Sequence, residues 1–497
     1  MSNFLSIYFG YHDSCVTFST NEAILLHLEG ERIFHEKHIK ATSYQMEKLV
    51  EIGLDYLNLE IGDFDTLYLA AWNNQFLEKD VSILGKRFDP IITGHHENHI
   101  GTTYPSGFES ALIICADGGS EDGCTKLYLK NGNETKLVAD CSSEIITGRF
   151  YGSITQMVID PDFSKAHKSY PGKTMGLAAL GEFSNEFYDL LDKYKSEINN
   201  LHIESIEQLR NIFQLADNYR QPWMDKRRCD LAFTAQYFWQ NTFMEKIKEY
   251  AHLSPNICMV GGCALNVLLN TSIAESGLFK EIYISPVSGD NGQSLGAILF
   301  HNPNMVCDYP FLGRGYGDVD EVPKMLVQDL LDHKIVAWYQ GRSEIGARAL
   351  GHRSFIGLPD SQDMKIKLSQ VIKKREPYRP VAPIIPTESL SDFFDSHNLS
   401  PFMTYAPRAR ELTKRKAPAI VHSDGTARVQ TLASEQNKIL HATLTEVGKI
   451  TGVPILMNSS FNISNTPIVD TPDDAISSFF ASEADVLYLN GERYATR

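Results

Sequence analysis

Two histidines four residues apart, His95 and His99, stand just ahead of an apolar run over residues 111–116. On a helix, residues i and i+4 share one face, so the two imidazoles can address a single ion. That helix must end before Pro105, which cannot continue it. The apolar run reads as a buried strand. Asp117-Gly118-Gly119 then puts an acid at its tip, followed by two residues that let backbone approach a ligand. Two histidines and an aspartate on such a frame suit a mononuclear metal site; the competing reading is a surface helix rich in histidine. The zinc-protease pattern His-Glu-x-x-His does not fit, since one residue separates Glu97 from His99.

Charge and length narrow the classes. The 497 residues suffice for roughly two to four domains. The net charge of −16 argues against bare nucleic acid or an anionic membrane as the main partner. None of the eight cysteines forms a C-x-x-C pair, so they read as reduced thiols rather than a disulfide framework. No apolar run approaches the ~20 residues of a membrane span. Met1-Ser2-Asn3-Phe4 lacks the basic start of a signal peptide, so the expected location is cytoplasmic.

Residues 4–9 and 14–18 read as strands around Gly10-Tyr11-His12-Asp13, where the His-Asp pair is either a turn or a catalytic unit. Another strand leads into Glu29-Gly30-Glu31-Arg32, with Lys37 and His38 following. Residues 43–58 have a helical period, and 65–71 form a strand. The region 111–151 is strand-rich, with Asp122-Gly123 and Asn131-Gly132 as hairpin signals. Helix dominates 183–250, and 230–250 reads as one long helix capped by Asp230. A strand at 257–260 runs into Gly261-Gly262-Cys263-Ala264-Leu265-Asn266. This is either a phosphate-facing turn or a close helix–strand contact. After a strand at 281–284, Asp290 is a further metal-ligand candidate or an N-cap. Strands, hairpins and then helices, twice over, predict a two-lobed α/β fold with a cleft between the lobes. No long repeat is visible.

Glycines and prolines mark 302–325 as a linker. Beyond it come a helix around 322–333, a strand at 334–340 and Gly341-Arg342-Ser343-Glu344-Ile345-Gly346-Ala347-Arg348-Ala349-Leu350-Gly351. This second unit gathers cations although the whole chain is acidic. They are Arg348, Arg353, the run Lys373-Lys374-Arg375-Glu376-Pro377-Tyr378-Arg379-Pro380, and Arg428. Arginine forks bind phosphate or carboxylate bidentately. A phosphate pocket and a solvated basic face are the two readings. Val453-Pro454-Ile455-Leu456-Met457-Asn458-Ser459-Ser460-Phe461-Asn462 reads as a buried strand that breaks into small polar residues.

Taken in order, these motifs resemble the O-carbamoyltransferases that tailor nodulation factors, aminoglycosides, cephems and ansamycins. The resemblance covers nearly the whole chain and also includes Gly172-Lys173-Thr174-Met175-Gly176-Leu177-Ala178. It implies a two-lobed ASKHA domain of the threonylcarbamoyl-transfer type over 1–315, followed by an α+β YrdC-like domain over 316–497. The C-terminal site would condense carbamoyl phosphate with ATP, with Mg2+. The carbamoyl adenylate would pass internally to the N-terminal site, where a hydroxyl of a small natural product or glycoconjugate attacks it and AMP leaves.

By the same resemblance, His95, His99, Asp117 and Asp290 hold Fe(II); such donors also suit Zn or Mn. His12 is the base, and Lys37 matches a site lysine. Gly118, Gly119, Lys173, Gly176, Gly261, Gly262 and Asn266 line the adenylate. Arg348, Lys373, Arg379, Arg428 and Ser460 hold carbamoyl phosphate and ATP. The chemistry suits these residue types, because a mixed anhydride with AMP gives a poor electrophile a good leaving group, and imidazole takes an alcohol proton near pH 7. Two rivals are tRNA threonylcarbamoylation, disfavoured by the acidic charge, and a non-catalytic nucleotide-binding scaffold, disfavoured by intact His12, Lys37, Arg348 and Lys373.

Overall fold

A computed structural model describes residues 2–71, 81–159, 171–200, 206–215 and 221–495. The chain forms two units. One comprises Met1–Pro105, Ser285–Val421 and Gly425–Arg497; the other comprises Ser106–Ile284 with His422–Asp424.

In the first unit, strand Asn3–Phe9 pairs antiparallel with Cys15–Thr20, which pairs antiparallel with Ile24–Glu29. Phe64–Ala71 joins Asn3–Phe9 in parallel, and Ile91–Thr93 extends that edge. Between them lies helix Ser43–Leu57, closed at its start by a reciprocal Thr42–Gln45 capping box. Its Met46, Leu49, Val50 and Leu54 pack on Leu5, Ile7, Val16 and Phe18. Alternate strand residues point the other way, and helix Gln293–His301 packs on that face.

The second unit repeats this plan. Ser110–Ser120, Gly123–Asn131 and Glu134–Asp140 form a meander. Asn256–Val260 then joins Ser110–Ser120 in parallel, and Glu281–Ile284 follows. Each unit thus holds a five-stranded sheet in which the third, second, first, fourth and fifth strands lie side by side. This is the arrangement implied by a two-lobed ASKHA domain. The sequence shows no repeat because topology demands only alternation and turn positions, not particular side chains.

The first unit also carries a mixed seven-stranded sheet built from residues 336–495, which is the expected α+β part. In its inner strand Val336–Tyr339, Val336 and Trp338 enter one core, while Ala337 and Tyr339 enter another. Helices Leu326–Leu331 and Lys438–Thr451 contribute to the first core. Helices Gln362–Ile366 and Pro472–Phe480 contribute to the second.

The long helix differs from expectation. It spans Lys226–Tyr250 and is capped by Asp225, whose carboxylate accepts from Arg227 N at 3.0 Å. Asp230 lies inside the helix, where its Oδ1 accepts from Glu182 N and Lys226 Nζ, both at 2.7 Å. Within the expected linker, Gly313 N donates to Ser343 O at 3.0 Å, and Gly341 N donates to Gly317 O at 2.8 Å. The strand expected at 334–340 is Val336–Tyr339, and the helix before it shortens to Leu326–Leu331.

Candidate active site

His95 and His99 lie on helix His95–Gly101, whose start is held by Glu97 Oε2 accepting from Gly94 N at 3.0 Å. Their Nε2 atoms are 3.1 Å apart, and Asp290 Oδ1 lies 3.5 Å from each. All three residues are buried. Asp290 is not an N-cap: Gly289 takes that position, and Asp290 begins the single 3-10 turn Asp290–Gly292. Its other oxygen, Oδ2, accepts from Tyr8 Oη at 2.8 Å.

Glycine sets this spacing. The histidine helix crosses Gln293–His301 so closely that a Cβ on Gly296 would sit 1.7 Å from Asn98 O. Ligands about 2.1 Å from a common ion lie roughly 3.0–3.4 Å from one another. Two imidazole nitrogens and a carboxylate oxygen at these separations therefore fit a first-row divalent metal.

His12 is about one-third exposed, and its Nδ1 lies 2.9 Å from Asp13 Oδ2 and 3.7 Å from Asp290 Oδ2. His38 Nδ1 lies 2.9 Å from Asp13 Oδ1, so one carboxylate joins two imidazoles. Burial opposes ionisation of Asp13. Hydrogen bonds from His12 and His38 overcome it and hold the carboxyl well below the usual range. A neutral His12 donating from Nδ1 carries its basic lone pair on Nε2.

The second cluster is cationic. A π-helical turn, Lys367–Ile372, leads into Lys373, and Lys374 adopts a left-handed φ of 48°. Such strained backbone recurs at functional sites. Lys373 Nζ is buried and donates to Ser460 O at 2.5 Å, to Asn462 O at 2.6 Å and to Asn462 Oδ1. Arg375 Nη1 reaches Ser459 Oγ at 3.3 Å.

Burial, and then the neighbouring Arg379 charge, push Arg348 down to about 10 and Arg375 to about 9. Burial and the charges of Arg348, Arg375 and Arg379 push Arg428 well down. Lys373 is lowered by burial, then by Arg375, Lys37 and Arg379, so Lys37 lies close enough to influence this pocket. Arg379 Nη1 has Glu376 at 3.6 Å. Among the described residues, no carboxylate pairs with Arg348, Arg375 or Arg428.

In the second unit, Asp117, Gly118 and Gly119 end strand Ser110–Ser120, with Asp117 Oδ1 accepting from Gly118 N at 2.5 Å. Gly261 and Gly262 follow the adjacent parallel strand Asn256–Val260. Asn266 caps helix Val267–Glu275 by accepting from Leu269 N at 3.0 Å, and it also bonds Gln236. Lys173 and Gly176 lie on helix Pro171–Ala178, which Thr174 ties to Thr155 at 2.8 Å.

Comparison with known proteins settles the family. Residues 80–299 match the carbamoyltransferase N-terminus and residues 327–495 match the carbamoyltransferase C-terminus. The nodulation protein NolO of Bradyrhizobium diazoefficiens is 30% identical, over 80% of this chain and 77% of its own length. The chain belongs to the carbamoyltransferase family. The nodulation protein NolNO of Sinorhizobium fredii is 27% identical to this carbamoyltransferase, over 96% of this chain and 78% of its own length. A solved structure of full-length HypF in its phosphate- and nucleotide-bound form has 14% identity. It covers 61% of this chain and 55% of that one, with a TM-score of 0.35.

This carbamoyltransferase is an enzyme that transfers carbamoyl groups. Its first unit brings His12, His95, His99 and Asp290 together, and separately brings Arg348, Lys373, Arg379, Arg428 and Ser460 together. Reading the sequence gave Tyr8 and His38 no site role, and it named Asp13, Arg375 and Asn462 only as parts of the His-Asp pair, the cationic run and the strand that ends in small polar residues. Asp13, His38 and Arg375 lay beside residues already singled out. Tyr8 gave no signal, since it sits in an ordinary strand pattern. Among the described residues, no helix is long and apolar enough to cross a membrane.

Proposed function

We propose that this carbamoyltransferase is ATP-dependent and makes a carbamoyl adenylate from carbamoyl phosphate and ATP·Mg2+ in a YrdC-like part, residues 316–497. It then transfers the carbamoyl group in residues 1–315 to a hydroxyl of a small natural product or glycoconjugate. The observation that carries the reading is the pocket of Arg348, Arg375, Arg379 and Arg428, half-buried cations in which neighbouring arginines push down the pKa of Arg348, Arg375 and Arg428. Crowded like charge partly shielded from water is costly, and the phosphates of two substrates would offset it.

Atom balance orders the steps. Carbamoyl phosphate loses phosphate to water, giving carbamate. A carbamate oxygen attacks the α-phosphorus of ATP, and the bond to pyrophosphate breaks. The acceptor hydroxyl then attacks the carbamoyl carbon, AMP leaves with the bonding pair, and the hydroxyl proton passes to His12 Nε2. Asp13 holds the His12 ring and stabilises its protonated form. The buried Nζ of Lys373 fixes the Ser460–Asn462 backbone beneath the arginines. Gly118, Gly119, Lys173, Gly176, Gly261, Gly262 and Asn266 would line the adenylate.

His95, His99 and Asp290 would hold the metal, Fe(II) by resemblance with Zn or Mn suiting the same donors; the resemblance adds Asp117. When bound, the metal supplies Lewis-acid polarisation of a carbonyl or phosphate oxygen.

The test needs no acceptor: mix protein, ATP, Mg2+ and carbamoyl phosphate, and follow pyrophosphate. Release that requires carbamoyl phosphate and disappears in Arg348→Ala is the expected result. Equal release from the variant would refute the assignment.

A further inference from the structure

Glu29 touches both functional regions of the first unit through one oxygen. Its Oε1 accepts from Asn291 Nδ2 at 2.5 Å and from Gly346 N at 3.2 Å. Asn291 is the residue after Asp290, and Gly346 lies two residues before Arg348. The other oxygen, Oε2, pairs with Arg32 Nε at 2.6 Å. Arg32 in turn donates to Glu344 O at 2.5 Å and to Gly346 O at 2.9 Å. Glu29 and Arg32 are both buried.

The partners on each side are equally fixed. His27 Nε2 lies 2.9 Å from Asn291 O, so the Asp290 turn is held from the same strand that carries Glu29. Glu344 Oε1 accepts from Leu350 N at 2.6 Å and Arg353 N at 3.2 Å, closing the loop that presents Arg348. Gly346 has a φ of 93°, and a Cβ there would sit 2.2 Å from Pro286 O. The Arg348 loop and the segment leading to Asp290 therefore abut with no space between them. A buried network of this kind has few ways to adjust one end without the other.

We propose that Glu29 and Arg32 are positioning residues that join the Asp290 turn to the Arg348 loop, so that occupying either site changes the affinity of the other. The inference rests on the two-site reading above. Neither side chain need touch substrate. Because linkage is reciprocal, the change in metal affinity caused by the substrates equals the change in substrate affinity caused by the metal.

The experiment measures Co(II) affinity of the full chain by chelator competition, with and without carbamoyl phosphate plus α,β-methylene ATP. The wild type should show a change of about 5-fold or more. In Glu29→Gln that factor should fall to about 1 while Co(II) and the nucleotide analogue each still bind alone. Asn291→Ala, which removes one donor and no charge, should give the same loss and serves if the buried-charge variant does not fold. Arg32→Lys should restore only part of the factor, because it lacks the second fork. A wild-type coupling factor in both Glu29→Gln and Asn291→Ala overturns the proposal. So does a wild type that binds both ligands independently. A wild type that binds no nucleotide or carbamoyl phosphate overturns the proposed function itself, and the coupling with it.

Discussion

Tyr8 and Asp290, 282 residues apart, are joined by a buried hydrogen bond of 2.8 Å that leaves the other carboxylate oxygen facing His95 and His99. A donor of this kind fixes the orientation of a ligating carboxylate. Tyr8→Phe should therefore weaken metal binding by about 10-fold while the fold remains intact. Chelator competition checks this. Unchanged affinity would mean that Tyr8 contributes only packing.

The two half-reactions should separate. His99→Ala removes a metal donor and should abolish carbamoyl transfer to an acceptor. At saturating ATP and carbamoyl phosphate it should leave carbamoyl-phosphate-dependent pyrophosphate release near the wild-type rate, since no residue of the arginine pocket is changed. Loss of pyrophosphate release in the same variant would show that the metal serves both steps.

The helix crossing that sets the donor spacing tolerates no side chain at Gly296, where a Cβ would lie 1.7 Å from Asn98 O. The obstacle is backbone, so the helices must part. Gly296→Ala should cost about 1–3 kcal/mol, in line with overpacked cores, and should lower retained metal more than stability alone would explain. Chemical denaturation and metal content measure the two effects. Full metal retention would dissociate the crossing from the site.

Asp329 ties the C-terminal strand to the domain. Its side chain is fully buried, and Arg493 grips it through Nε at 2.6 Å and Nη2 at 2.8 Å, with Lys334 at 2.7 Å. Burial opposes ionisation, yet hydrogen bonds from Arg493, Lys334 and Tyr488 hold the carboxyl well below its usual range. A depressed folded pKa contributes stability above the unfolded value of about 3.9 and loses it as pH falls through the folded value. Asp329→Asn should cost about 2 kcal/mol at pH 7, less than a sealed pair because Arg493 and Lys334 are about one-third exposed. Below about pH 4 the gap to wild type should narrow. Thermal melts across pH 3–7 test it, and a gap that stays constant with pH would refute the ionised-pair account.

Much of the site could be read directly. The i,i+4 spacing of His95 and His99 survives as one helix face, and the strand ending in Asp117-Gly118-Gly119 has the expected form. Both hairpin signals and the glycine pair after strand Asn256–Val260 fell where turns occur. These features are local: helical period, strand alternation and turn chemistry act over a few residues and leave their mark in the order of side chains.

The missed features are of a different kind. Asp225 rather than Asp230 starts the long helix because the chain's approach through Pro222–Met224 sets where helical geometry begins. The sequence by itself determined the element types, the histidine pair and the cationic loops, because each depends on neighbours along the chain. Only the tertiary structure decided that Tyr8 orients Asp290, that Asn462 cages Lys373 and that Glu29 bridges Asn291 to Gly346. Those contacts join residues from 89 to 317 positions apart. They form only when sheet order and a helix crossing without side chains bring distant segments to hydrogen-bonding distance, and no local periodicity encodes that.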